Sequence, residues 1–166
     1  NHLPADMGRD NNRGGFPGGG SGGGSDLVYT DDSVDSYSSI FDKAVFEYKE
    51  SDARRVITAL QHLNEGTDLE KYIDVDEVLR YFAVNTFLVN LDSYAGSMKH
   101  NYYLYEKDGQ LSILPWDFNL SFAGFQSGSA SAAVNFPIDT PVSGTTLEDR
   151  PLIGKLLEVP EYLERY

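Results

Sequence analysis

The sequence predicts an α+β fold, mostly helical, with one small β-hairpin. Apolar residues recur at helical spacing in several stretches, as in Val56, Ile57, Leu60 and Leu63, and again in Val78, Leu79 and Phe82. Between these helices and a helical tail lies one run suited to a strand, Tyr102-Tyr103-Leu104-Tyr105. It is followed by Lys107-Asp108-Gly109-Gln110, whose Asp-Gly pair is a strong hairpin signal, and by a return run Leu111-Ser112-Ile113-Leu114 that stops at Pro115. The 166 residues, 40% hydrophobic, suffice for one core and argue for one domain over residues 26–166.

Composition narrows the function. There is no cysteine, which excludes disulfides and Cys-based zinc sites. A formal net charge of −13, without Lys/Arg clusters, argues against nucleic-acid binding, because phosphate contacts need such clusters. It also repels a nucleotide triphosphate unless cations mediate, and carboxylates that gather hard cations would supply that mediation. No run is apolar and long enough to span a bilayer, and no secretory signal opens the chain. A chain that starts at Asn1 reads as a processed or excised piece.

Residues 1–25 hold nine of the sixteen glycines and read as a flexible tether or surface insertion. Gly18, Gly20 and Gly23 satisfy G-x-G-x-x-G only because the stretch is low in complexity, with no strand before it or helix after it. Asp26-Leu27-Val28-Tyr29 predicts a short strand or extended segment. The acids of Asp31 to Ser36 lack EF-hand spacing and read as a cap and turn. Ile40, Phe41, Ala44, Val45 and Tyr48 fit one helix face over Tyr37 to Tyr48. Ser51 can cap a helix from Asp52 to Leu63 that Asn64-Glu65-Gly66 ends, with His62 easing the dipole of its last turn. Thr67 with Glu70, and Asp74 with Glu77, offer two further capped starts. The second opens the strongest helix, Val75 to Asn90, whose Val78, Leu79, Phe82, Ala83, Phe87 and Leu88 predict burial over much of its surface. Asn85 and Asn90 are expected to satisfy buried backbone groups. Past Phe125, a small-residue stretch from Ser127 to Ala133 reads either as a mobile substrate-binding segment or as a plain surface loop. The tail from Pro151 to Tyr166 reads as one helix or two short ones split at Pro160.

The chemistry concentrates in residues 90–125. A helix ends near Asn90, a polar loop carries Asp92 and closes at His100-Asn101, the hairpin follows, and Trp116-Asp117-Phe118-Asn119 comes directly after it. That is the order in which the catalytic half of a protein kinase sets out its parts: a loop Asp that accepts the hydroxyl proton, a loop Asn that holds metal, a hairpin, then an Asp that binds the cation on the nucleotide phosphates. The fold expected is therefore protein-kinase-C-lobe-like, with the hairpin carrying the active-site edge.

At three motifs the sequence also resembles the spore coat protein H (CotH) kinase family: Asn90-Leu91-Asp92-Ser93-Tyr94 with Gly96, His100-Asn101-Tyr102-Tyr103-Leu104-Tyr105, and Pro115-Trp116-Asp117-Phe118-Asn119-Leu120. Weaker likeness runs back to Asp26 and on to Phe125. The resemblance implies an ATP- and Mg²⁺- or Mn²⁺-dependent kinase acting on Ser of protein substrates, exported or spore-associated and bacterial. Asp92 would then be the catalytic proton acceptor, and Asp117 a metal ligand after a strand that looks buried. Asn101 would supply a second oxygen ligand or, with His100 and Asn119, orient the loop backbone. The gap from Asp92 to Asn101 exceeds that of H-R-D-x-x-x-x-N, no Arg precedes Asp92, and Asn119 stands where ordinary kinases have Gly. Trp116 could stack on adenine but is expected mainly to pack, and Lys99 is expected to be solvated. Cofactor-binding residues are not identified: no strand-borne Lys precedes Asp92, and Lys43 and Lys49 fall on expected helices, so the chain reads as a catalytic half without its nucleotide-clamping lobe. Two other readings share these residues, a non-enzymatic extracellular interaction module and a metal-dependent phosphohydrolase.

Overall fold

The computed structural model describes residues 25–125 and 128–166. The Gly-rich stretch and its G-x-G-x-x-G match lie outside them. The architecture is the expected one, mostly helical with a two-stranded antiparallel sheet.

The first described residues form no strand. Leu27 takes a left-handed backbone (φ 62°) and is 1% exposed, seated in the core. The Asp31 carboxylate accepts from the Ser33 amide and the Ser36 hydroxyl, the turn expected there. The expected helix cap does not form, since Ser33, which leads into the next element, makes no side-chain cap bond. A 3₁₀ turn, Val34–Tyr37, then runs into α1 (Ser38–Phe41). The helix expected to reach Tyr48 stops at Phe41. Val45 and Phe46 are exposed, and a further turn with nothing to bury against would not repay its ordering.

In α2 (Glu50–Glu65), Ala53, Val56, Ile57, Leu60 and Leu63 face inward. Its N-terminus is held by Asp52, whose carboxylate accepts from the Lys49 amide at 2.8 Å, rather than by Ser51. Lys49 is thus a capping residue and Lys43 lies in a turn, so neither sits on a helix. Gly66 ends α2 at φ 69°, a conformation that costs glycine little. The Thr67–Glu70 capping box does not form: the Thr67 hydroxyl pairs with His62 Nδ1 at 2.8 Å, and α3 (Leu69–Tyr72) starts from a left-handed Asp68 without a side-chain cap.

The strongest helix, α4 (Val75–Phe87), begins as expected, with Asp74 accepting from the Glu77 amide at 3.1 Å. It ends three residues before Asn90. Its burial is one-sided: Val78, Leu79, Phe82 and Asn85 are buried, whereas Val84 and Phe87 face water, Phe87 at 81% exposure. Strands β1 (Tyr102–Lys107) and β2 (Gln110–Pro115) pair antiparallel from Tyr102↔Pro115 to Lys107↔Gln110. Asp108 and Gly109, both at positive φ, make the expected two-residue turn. Leu111 and Ile113 of β2 join α2 and α4 in the core, which α6 (Pro151–Leu157) closes with Leu152, Ile153 and Leu156. Burying a side chain such as Phe82 completely contributes about 2–3 kcal/mol. Between the hairpin and α6 a short α5 (Ala130–Val134) is capped by Ser129, and α7 (Pro160–Arg165) follows α6, so the tail is two helices divided at Pro160.

Candidate active site

The exit of α4 is a compact loop. Gly96 donates its amide to the Ser93 carbonyl at 3.1 Å, and a Cβ at Gly96 would fall 1.9 Å from the Leu91 carbonyl oxygen. Only glycine closes the loop in this form. The loop carries Asp92, 8% exposed, with its carboxylate between two side chains. His100 Nε2 lies 2.6 Å from Asp92 Oδ1, and Asn101 Nδ2 donates to Asp92 Oδ2 and to the Asp92 carbonyl, each at 2.9 Å. Because an ionised carboxylate only accepts, Nε2 is the protonated ring nitrogen in this pair. Each carboxylate oxygen keeps one further lone-pair site.

The hairpin brings the second acid to the same end of the molecule. Asn101 stands immediately before the Tyr102↔Pro115 pair, and Asp117 lies two residues beyond it on the other strand. Both have left-handed backbones, Asn101 at φ 56° and Asp117 at φ 52°, a conformation that costs most residues energy and gathers at functional sites. Asp117 differs from expectation in one respect: it is exposed, not buried. The chain returns to the core at Phe118, beside Tyr81, and among the described residues the Asp117 carboxylate has no hydrogen-bond or ion-pair partner. Trp116 is also exposed, at 56%, and packs edge-on to Tyr103, with centroids 5.3 Å apart, so it is not a core residue.

As a cation site the donors fit in kind. Among the described residues Asp117 offers an uncommitted carboxylate, and Asn101, whose amide nitrogen serves Asp92, has no donor to its side-chain carbonyl oxygen. Two hard oxygens at one rim suit Mg²⁺ or Mn²⁺, which take one or two protein carboxylates and fill the rest of their shell with water and phosphate. The described residues contain no cluster of three or more His, Cys, Asp or Glu that would hold a metal without such a ligand.

Lys99, expected to be solvated, pairs with Asp26 instead, with Nζ 3.0 Å from Oδ2. The only lysine on a strand among the described residues is Lys107, at the far, turn end of the hairpin. Asn85 plays the role expected of it, donating to the Asn90 carbonyl at 3.2 Å. Asn90 contributes through its backbone, since its side-chain amide has no protein partner. Two residues of the site were not legible in the sequence. Tyr94, fully buried, donates to the Asp26 carbonyl and accepts from the Leu152 amide, and burial pushes its phenol far up from its ordinary pKa. Arg150, 3% exposed, binds loop carbonyls from behind. In the sequence the first is one of eleven tyrosines and the second a lone Arg before a proline.

The family described as CotH kinase protein matches residues 18–166. The chain belongs to the CotH kinase family. The match extends past the motifs of residues 90–125 through the tail, so α6 and α7, which close the core under the Asp92 loop, are part of the CotH unit. Comparison with curated proteins and with solved structures gives no match.

Proposed function

We propose that this CotH kinase chain carries the catalytic half of an ATP- and divalent-metal-dependent protein kinase that phosphorylates Ser on protein substrates. The observation that carries the reading is the Asp92 carboxylate, nearly buried and fixed by His100 and Asn101, at the hairpin end where Asp117 presents a free carboxylate. Asp92 takes the proton of the acceptor Ser hydroxyl at one of its open lone-pair sites as the serine oxygen bonds to the γ-phosphorus and ADP departs. A carboxylate suffices, because phosphoryl transfer asks more for orientation than for a strong base. Asp117, with the Asn101 carbonyl oxygen, would hold Mg²⁺ or Mn²⁺, which when bound neutralises charge on the phosphates. His100 keeps Asp92 from rotating, a role for which no motif is needed. The family's name favours a spore-coat or exported, bacterial setting. Among the described residues no helix is long and apolar enough to cross a membrane.

The test is a thermal melt with MgATP or MnATP, followed by transfer to Ser peptides. At ligand one hundred times its Kd, binding adds about 2.7 kcal/mol of apparent stability. A shift lost in Asp117→Ala and kept in Asp92→Asn is the expected pattern. Because the chain reads as a catalytic half without its nucleotide-clamping lobe, it can be silent by itself. No shift and no transfer in a longer chain that carries that lobe would sink the kinase reading in favour of an interaction module. Phosphate release without an acceptor would mark a phosphohydrolase.

A further inference from the structure

Arg150 is a buried charge that the proposed chemistry does not use. Its guanidinium is 3% exposed and pairs with no carboxylate among the described residues. Among the described residues its hydrogen-bond partners are backbone carbonyls: Nε to Tyr94 at 2.8 Å, Nη2 to Gly96 at 2.8 Å and Nη1 to Asp149 at 2.7 Å. The group lies 5.8 Å from the centroid of the Tyr94 ring. Arginine does not shed its charge in proteins, and a buried cation without an anion is costly unless its donors are met. Here two of the three carbonyls that meet them, those of Tyr94 and Gly96, belong to the loop that carries Asp92. The same wall makes two more ties to this loop, Ser143 amide to Ala95 carbonyl at 3.0 Å and Leu152 amide to Tyr94 hydroxyl at 3.2 Å. Elsewhere the loop is tied through Asp92 to His100 and Asn101, through the Tyr94 hydroxyl to the Asp26 carbonyl, and at its start by Asn85 to the Asn90 carbonyl.

We propose that Arg150 is a positioning residue for the proposed phosphotransfer: its planar fork spans the carbonyls of Tyr94 and Gly96 and so fixes where Asp92 stands. The proposal rests on Asp92 being the proton acceptor. Lysine cannot reproduce the hold, because a single ammonium does not present two donors at a fixed spacing to two carbonyls.

The experiment compares wild type with Arg150→Lys in the full chain, by two readouts. Amide hydrogen exchange is followed at residues 93–96 against the core of α2 as an internal reference. kcat and KM for ATP are measured on a Ser peptide. Arg150→Lys is expected to raise exchange in the loop at least about 10-fold while leaving α2 unchanged, because opening is local. It is also expected to lower kcat by about 100-fold at an unchanged KM, the scale of an ångström-sized misplacement of a reacting group. Unchanged loop exchange and kcat would overturn the proposal. So would faster exchange everywhere with kcat per folded molecule intact, which would make Arg150 a staple of the fold. A variant that fails to fold counts with that second result, unless Arg150→Ala regains both slow loop exchange and kcat in millimolar guanidinium. If the wild-type chain transfers no phosphate, kcat is read in a longer chain that carries the clamping lobe, where silence fails the kinase reading by itself, and loop exchange still decides whether Arg150 holds the loop.

Discussion

Replacing Asp92 by Asn separates what its carboxylate does for the loop from what it would do for chemistry. In the native site Oδ2 accepts from Asn101 and Oδ1 accepts from His100. An asparagine can satisfy both neighbours if its oxygen faces Asn101 and its NH₂ faces His100, provided the imidazole moves its proton to Nδ1 and accepts at Nε2. Two charge-assisted hydrogen bonds then become two neutral ones, a loss of about 1–2 kcal/mol in all. Asp92→Ala offers nothing to either neighbour. It should cost about 2–4 kcal/mol, moderated because His100 reaches water. Urea denaturation with unchanged m-values measures both, and the nitrogen shifts of His100 report the tautomer change. Transfer to a Ser peptide should fall about 100- to 10,000-fold in Asp92→Asn, the usual contribution of a general base. Retention of activity within about threefold would refute the assignment of Asp92 as proton acceptor. Equal destabilisation by Asn and Ala would refute the argument that His100 and Asn101 hold the side chain by its oxygens.

Two further outcomes follow from the scaffold. Tyr94→Phe removes the acceptor of the buried Leu152 amide and the donor to the Asp26 carbonyl, so unfolding should become easier by about 3 kcal/mol, read as a lower urea midpoint. A change below about 0.5 kcal/mol would mean that neither bond is made. Glu106 accepts from Arg55 through both oxygens, at 2.8 and 2.9 Å, and from the Gly109 amide, and the Arg55 guanidinium foremost holds its carboxyl below the ordinary value of 4.5. With the folded pKa below the unfolded one, its contribution is complete above about pH 4.5 and disappears as pH falls through the folded value. The stability gap between wild type and Glu106→Gln should therefore be about 1 kcal/mol at pH 7, limited by the exposure of Arg55, and close on acidification. A gap that widens in acid would contradict the pairing.

Local pattern was enough wherever the deciding interaction lies within a few residues. The amphipathic stripe of α2, its stop at Gly66, the Asp74 cap of α4 and the Asp108-Gly109 turn are all of this kind, and the structure has each of them. So is the hairpin between the two acids, because an antiparallel pair joined by two residues fixes its own register and puts Asn101 and Asp117 at one end. Local pattern misled where tertiary packing sets the limits. The apolar residues from Ala44 to Tyr48 carry helical spacing, but among the described residues no element buries Val45 or Phe46. Phe87 continues the stripe of α4 in sequence and faces water for the same reason. Asp117 follows a buried strand, yet the left-handed turn at its own backbone exposes it. What no pattern could supply is the support of the Asp92 loop. Tyr94 reaches Asp26 and Leu152, 68 and 58 residues away, and Arg150 reaches back 56 and 54 residues to the carbonyls of Tyr94 and Gly96. A side chain bonded to a distant carbonyl constrains nothing about the identity of the residue that bears the carbonyl. Sequence by itself therefore determined the locally encoded elements and the order of the acids, and only the folded core decided where α1 and α4 end and what holds Asp92 in place.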